Sequence, residues 1–231
     1  MTQIFYAYIS EENHNHLLKT YLDTFPADFQ KRILSFRNWQ DAQLSLLGRL
    51  LLRHGLRINN GHERKDNIGY TSYNKPFLID SDIKFNISHA GELVVCVLSD
   101  SNDVGVDIEI INDINIDDFE SQMTITEQNY IRLAKNSRTA FFDFWTKKEA
   151  VIKANGKGLS IQLQDFQVVD NFTTINDENF FLREIYFNEK YKCHVAFKNR
   201  IDTNITGPQI INDFNFGSLI LIDATEPLNG F

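Results

Sequence analysis

The chain has 231 residues, a formal net charge of −8 and 42% hydrophobic residues, among them 19 phenylalanines. That apolar content excludes a disordered chain, and the acidic balance argues against nonspecific binding to nucleic acid or an anionic membrane, which relies on basic surface. No apolar run approaches the roughly 20 residues of a membrane span, and "MTQIFYAYIS" lacks the basic and apolar regions of a secretory signal. The two cysteines, Cys96 and Cys193, lie in strand-like segments. Together these features predict a cytoplasmic globular protein with buried thiols rather than a disulfide.

In chain order, "QIFYAYI" predicts a first strand, followed by helical stretches near residues 12–24, 27–36 and 38–57. The polar loop "NNGHERKDN" and a short strand near 68–72 lead to the "NKP" turn. "IKFNIS", "ELVVCVLS" and "VGVDIEI" are strand candidates separated by the turn signals "HAG" and "DSND". Helices near 126–135 and 138–155 come next, then strands near 165–170, 179–187, 191–198 and 216–223. Strand, helices, strands thus occurs twice, which predicts an α+β chain of two halves. Residues 199–215 read as an asparagine-rich exposed connection.

Within "VGVDIEI", alternation sends Gly105, Asp107 and Glu109 to one face and Val104, Val106, Ile108 and Ile110 to the other. Burial of the apolar set fixes the aim of the two carboxylates. Their Cα atoms stand roughly 6.7 Å apart at strand rise, so both reach one ion. Taken alone, the pair reads first as a wet acidic strand face. In the helix "SRTAFFDFWTKKEAVIKAN", Ser137 fits an N-cap and Gly156 a stop. There Trp145, Glu149 and Lys153 share one side at i, i+4 and i+8. Three carboxylates and a lysine meet what a divalent metal and a phosphate require together.

The blocks "GVDIE", "WTKKEAVIK" and "GKGLS", preceded by "NKPFLIDSDIKFNISH", resemble the signature of the 4'-phosphopantetheinyl transferases, most of all the Sfp-type branch. The resemblance runs from about residue 74 to 160. It implies two similarly folded halves around a pseudo-twofold, residues 1–112 and 113–231, with the active site in the cleft between them. Such an arrangement lets a monomer supply both walls. It also implies transfer of the phosphopantetheine arm of coenzyme A to a serine of an apo acyl or peptidyl carrier protein, with release of adenosine 3',5'-bisphosphate.

By the same resemblance, Asp107, Glu109 and Glu149 hold Mg²⁺ against the coenzyme A pyrophosphate, and Lys153 adds a positive charge there. Lys75, Pro76, Ser88 and His89 match positions that contact the nucleotide phosphates, and Lys31 is a further phosphate candidate. "MTITEQNYIRLAK" places Glu127 at the position of the general base, although Thr124 and Glu127 also spell a capping box. The chain departs from the family at Leu44, where some relatives carry an arginine for the 3'-phosphate; Arg49 and Arg53 are the nearby alternatives. It departs again after Glu109, where Asp113, Asp117, Asp118 and Glu120 are expected to restrict the choice of an acidic carrier. The residues by themselves leave open a metal-dependent nuclease, which the acidic charge disfavours, and a coenzyme A or carrier-binding module without catalysis.

Overall fold

A computed structural model describes residues 1–60, 67–199 and 204–212. Its first half runs β1 (Thr2–Tyr8), α1 (Glu11–Tyr21), α2 (Ala27–Ser35), α3 (Trp39–Asn60), the short strands β2 (Ile68–Tyr70) and β3 (Pro76–Leu78), then β4 (Lys84–Ala90) and β5 (Leu93–Ser99). Next come β6 (Val104–Ile110), α4 (Ile125–Leu133), α5 (Ser137–Asn155), β7 (Phe172–Ile175), β8 (Glu178–Glu184), β9 (Tyr191–Lys198) and β10 (Ile205–Ile210). The predicted helices and most of the predicted strands are therefore present, and the α+β class holds.

Two four-stranded sheets, ordered β10-β1-β5-β4 and β6-β9-β8-β7, carry the fold. Strand alternation divides β5 between two cores. Val94, Cys96 and Leu98 pack with the leucines of α3, while Leu93, Val95 and Val97 pack against Val104, Val106, Ile108, Val195 and Phe197 of the other sheet. This explains why all seven residues of β5 are buried and why the strand reads as a continuous apolar run. The opposite face of the second sheet is covered by α5, through Ala150, Val151 and Ala154. The layers are thus helices, sheet, sheet, helix. Both cysteines are free and buried within them.

Three segments differ from expectation. Residues 165–170 hold a 3-10 turn and coil, and the strand comes later, at Phe172–Ile175. Asp170 and Asn171 both take positive φ and break extended structure before it. Within the stretch read as an exposed connection, residues 205–210 form β10, which pairs parallel to β1. β10 places Ile205 against the inter-sheet core and otherwise exposes most of its side chains, so its pattern carries no strand alternation. The strand expected near 216–223 lies outside the described residues. Strand pairing also crosses the division at residue 112, since β6 joins β9 and β10 returns to β1.

Gly105 is where α5 comes closest to β6. A Cβ there meets the Ala150 carbonyl oxygen at 2.2 Å and the Ala154 nitrogen at 2.3 Å, both backbone atoms that cannot swing aside. Gly105→Ala is expected to force α5 off the sheet, lowering stability by about 1–3 kcal/mol and displacing Glu149 and Lys153. Denaturant melts and a carrier-labelling assay on the same preparation test both effects.

Candidate active site

β4 and β6 are edge strands of the two sheets, and they meet through side chains instead of a ladder. Asn86 Oδ1 accepts the Val106 N–H at 2.9 Å, and Ser88 Oγ accepts the Ile108 N–H at 3.4 Å. Asn86 and Ser88 share one face of β4 because they are two residues apart. The "FNISH" segment therefore closes an otherwise open strand edge. Asn86 was not among the predicted site residues, although its spacing from Ser88 was the available signal.

At this seam the predicted carboxylates converge. Asp107 is 4% exposed. Its Oδ1 accepts from Lys153 Nζ at 2.6 Å and from Ser88 Oγ at 3.3 Å, while Lys153 Nζ also donates to Ser88 Oγ at 3.0 Å. Asp107 Oδ2 is buried and has no hydrogen-bond partner. Burial pushes the Asp107 carboxyl above its usual range against the pull of Lys153. Burial, then the neighbouring Asp107, raises Glu109 to about 7, with Lys153 and a hydrogen bond from Trp145 opposing. Glu149 is raised by the same two causes. Three acids thus share one field, with Lys153 as the cation among them.

Helix α5 holds half of this group by its ends. Asn136, one residue before the predicted Ser137, is the N-cap and accepts the Thr139 N–H at 3.0 Å. Gly156 closes the helix in the left-handed region with φ 84°, as expected of a C-terminal glycine. Lys75 lies against Gly156, and its Nζ donates to the Ala154 carbonyl at 2.8 Å. Burial lowers the Lys75 pKa to about 8. His89 is solvent-exposed on β4; partial desolvation and then the Lys153 charge lower its pKa. Pro76 opens β3 beside Lys75.

Other candidates stand elsewhere. Lys31 is exposed on α2, which packs on α3 and the turn at 22–24, so it is not gathered into this group. Leu44 is a core residue at 4% exposure. Arg53 donates to the Thr24 hydroxyl at 2.6 Å and lies over the Phe25 ring, and Arg49 lies over Phe29. Among the four acids after β6, Asp113 pairs with Arg138 and Glu120 with Arg132. The chain's own arginines therefore offset part of the charge expected to face a carrier.

Glu127 sits in a setting unsuited to a general base. It completes a capping box: its Oε2 accepts the Thr124 N–H at 2.9 Å and the Thr124 hydroxyl accepts the Glu127 N–H at 3.3 Å. Oε2 lies 2.8 Å from Lys148 Nζ, and both side chains are 0% exposed. Oε1 accepts the Val168 N–H at 3.3 Å. Lys148 in turn donates to the Leu163 and Phe166 carbonyls, each at 2.6 Å. Both oxygens thus accept from the protein's own donors, and the side chain is closed off from solvent. The sequence hid this because a capping-box glutamate and a catalytic one read alike.

Two family models match the chain: "4'-phosphopantetheinyl transferase superfamily" over residues 103–205 and "4'-phosphopantetheinyl transferase, N-terminal" over residues 12–101. The chain is similar to 4'-phosphopantetheinyl transferase gsp of Aneurinibacillus migulanus, with 34% identity over 224 residues, covering 91% of this chain and 92% of that protein. It is also similar to 4'-phosphopantetheinyl transferase Sfp of Bacillus subtilis (strain 168), with 34% identity over 137 residues, 58% of this chain and 61% of that one. The two models meet between β5 and β6, the point where the chain leaves one sheet for the other. With one relative matched along nearly its whole length and both models in order, this chain belongs to the 4'-phosphopantetheinyl transferase superfamily.

Proposed function

We propose that this enzyme transfers the 4'-phosphopantetheine arm of coenzyme A to a serine of an apo acyl or peptidyl carrier protein, in a reaction that depends on Mg²⁺. The observation that carries this reading is Asp107 Oδ2, buried and unpartnered beside two further acids and a lysine. A buried polar atom without a partner costs free energy, and a hard divalent cation is the partner that an all-oxygen donor set suits. Asp107, Glu109 and Glu149 are the residues that would hold it. When bound, Mg²⁺ supplies charge neutralisation for the pyrophosphate and the leaving group.

The chain's own residues supply the rest. Lys153, held by Asp107 and Ser88, presents a fixed positive charge to the same phosphate oxygens. His89, within reach of the Lys153 charge, and Lys75, at the C-terminal end of α5, occupy the family's nucleotide-contacting positions. The carrier serine oxygen bonds to the phosphorus bearing the pantetheine arm, and the P–O bond to adenosine 3',5'-bisphosphate breaks. We assign the serine proton to Glu149, which is half-buried where Glu127 is enclosed. One chain supplies both walls of the cleft, so we expect a monomer. Among the described residues no helix is long and apolar enough to cross a membrane, and the two free cysteines suit a cytoplasmic location.

The test is the intact mass of a recombinant apo carrier after incubation with the enzyme, coenzyme A and Mg²⁺. A gain of one phosphopantetheine arm, abolished by a chelator, is expected. Calorimetric binding of coenzyme A with no mass gain on fatty-acid or peptide carriers would instead favour a binding module.

A further inference from the structure

The face of the second sheet that carries Asp107 holds another cluster, which the transfer reaction leaves unused. In the antiparallel register Asp107 is opposite His194, and His194 is opposite Glu184, so one row crosses β6, β9 and β8. Helix α5 lays Asp143 and Thr146 over the far end of that row. Asp143, Glu184 and His194 each place one ligand atom within 4.8 Å of the others.

His194 decides what the cluster is for. It is 1% exposed, and its Nδ1 lies 2.8 Å from the Thr146 hydroxyl. With that hydroxyl donating to the Phe142 carbonyl at 2.7 Å, it accepts the Nδ1 proton, and in this tautomer Nε2 is a bare lone pair. Nε2 is buried without any hydrogen-bond partner and stands 3.7 Å from Asp143 Oδ1. A lone pair 3.7 Å from a carboxylate oxygen is repelled by it unless a proton or a metal cation lies between them. Lys192 Nζ now stands 2.6 Å from Glu184 Oε1 and 3.4 Å from Asp143 Oδ1, and Lys147 Nζ stands 2.6 Å from Asp143 Oδ2. These ammonium groups balance the carboxylates but leave Nε2 unsatisfied.

We propose that Asp143, Glu184 and His194 form a second cation site, for a transition-metal ion such as Zn²⁺, that clamps α5 to β8 and β9. One imidazole with two carboxylates and an open position is a Zn²⁺-type donor set, whereas Mg²⁺ prefers oxygen alone. The Thr146 contact is the outer hydrogen bond that orients a ligating histidine. Glu184 is 45% exposed and opens the site to solvent. Lys192, on a long flexible stem, is the group the ion displaces. The ion would brace the helix that carries Glu149 and Lys153 without touching the transferred group.

Co²⁺ is the probe, because its visible absorption reports coordination independently of transfer. The full chain carrying Asp107→Asn and Glu149→Gln, which disables the first set of acids, is titrated with Co²⁺. One equivalent bound with four-coordinate absorption, displaced by Zn²⁺ and not by Mg²⁺, is expected. Glu184→Gln on that background should weaken binding by about tenfold or more, and Lys192→Met should tighten it by a similar factor. Both positions lie at the rim, so neither change empties the core. Loss of Co²⁺ binding in the Asp107→Asn, Glu149→Gln protein would overturn the proposal by assigning the ion to the first site. So would indifference to both rim substitutions, or no uptake even with Lys192→Met.

Discussion

Asp107→Asn is expected to lower the transfer rate by roughly three orders of magnitude or more while leaving the protein at least as thermally stable as the native chain. The two halves of this expectation share one cause. Asp107 is buried, and only one of its oxygens is partnered within the protein. A buried carboxylate with an unsatisfied oxygen is a cost to the fold, kept because a ligand uses it. The amide has the same shape and no charge to desolvate, and Lys153, whose side chain is 28% exposed, can turn to water when its partner is neutral. Thermal melts of metal-free protein and single-turnover labelling of an apo carrier measure the two quantities separately. Labelling near the native rate would remove Asp107 from the metal site, and a large fall in melting temperature would make it a structural residue instead.

Glu127→Gln is expected to do the reverse: a large loss of stability with turnover of the folded fraction changed by no more than a few-fold. The Glu127–Lys148 pair is wholly enclosed, and removing one charge strands the other. Breaking such a pair costs about 3–5 kcal/mol, or roughly 6–20 °C in melting temperature for a chain of this size. A lost general base would cost about 10²–10⁴ in rate instead. Adding Lys148→Met to Glu127→Gln should recover part of the stability, since the stranded ammonium goes with it. Rates measured well below the melting point decide between the two roles. A rate loss of a hundredfold in folded protein would restore Glu127 as the base and undo the assignment of the proton to Glu149.

The two roles of Glu127 illustrate what a local pattern carries. Spacing states which face of an element a side chain occupies, and it did so correctly for Gly105, Asp107 and Glu109 on β6 and for Trp145, Glu149 and Lys153 on α5. It does not state what packs over that face. Lys148 follows Phe141 and Trp145 at helical core spacing and precedes Ile152, yet a lysine there reads as solvated until the Leu163 and Phe166 carbonyls are seen around it. His194 is similarly silent in sequence, a lone histidine in an apolar strand whose environment comes from β8 and α5. Lys31 has the residue type of a phosphate ligand, and what lies around it is set by the packing of α2 on α3.

By itself the sequence determined the class of the fold, the position of most elements, and the family, because alternation, helical spacing and four ordered motifs are all properties of residues close along the chain. It also placed the acids and Lys153 on matching faces of two elements. Only the tertiary structure decided that β6 leaves the first half to pair with β9, that β10 returns from the far end of the chain to β1, and that Asn86 and Ser88 bridge the two sheet edges. It alone left Asp107 Oδ2 and His194 Nε2 without partners while giving both Glu127 oxygens donors. Burial and hydrogen-bond satisfaction depend on which residues meet across long separations in sequence, and short-range patterns contain no term for that.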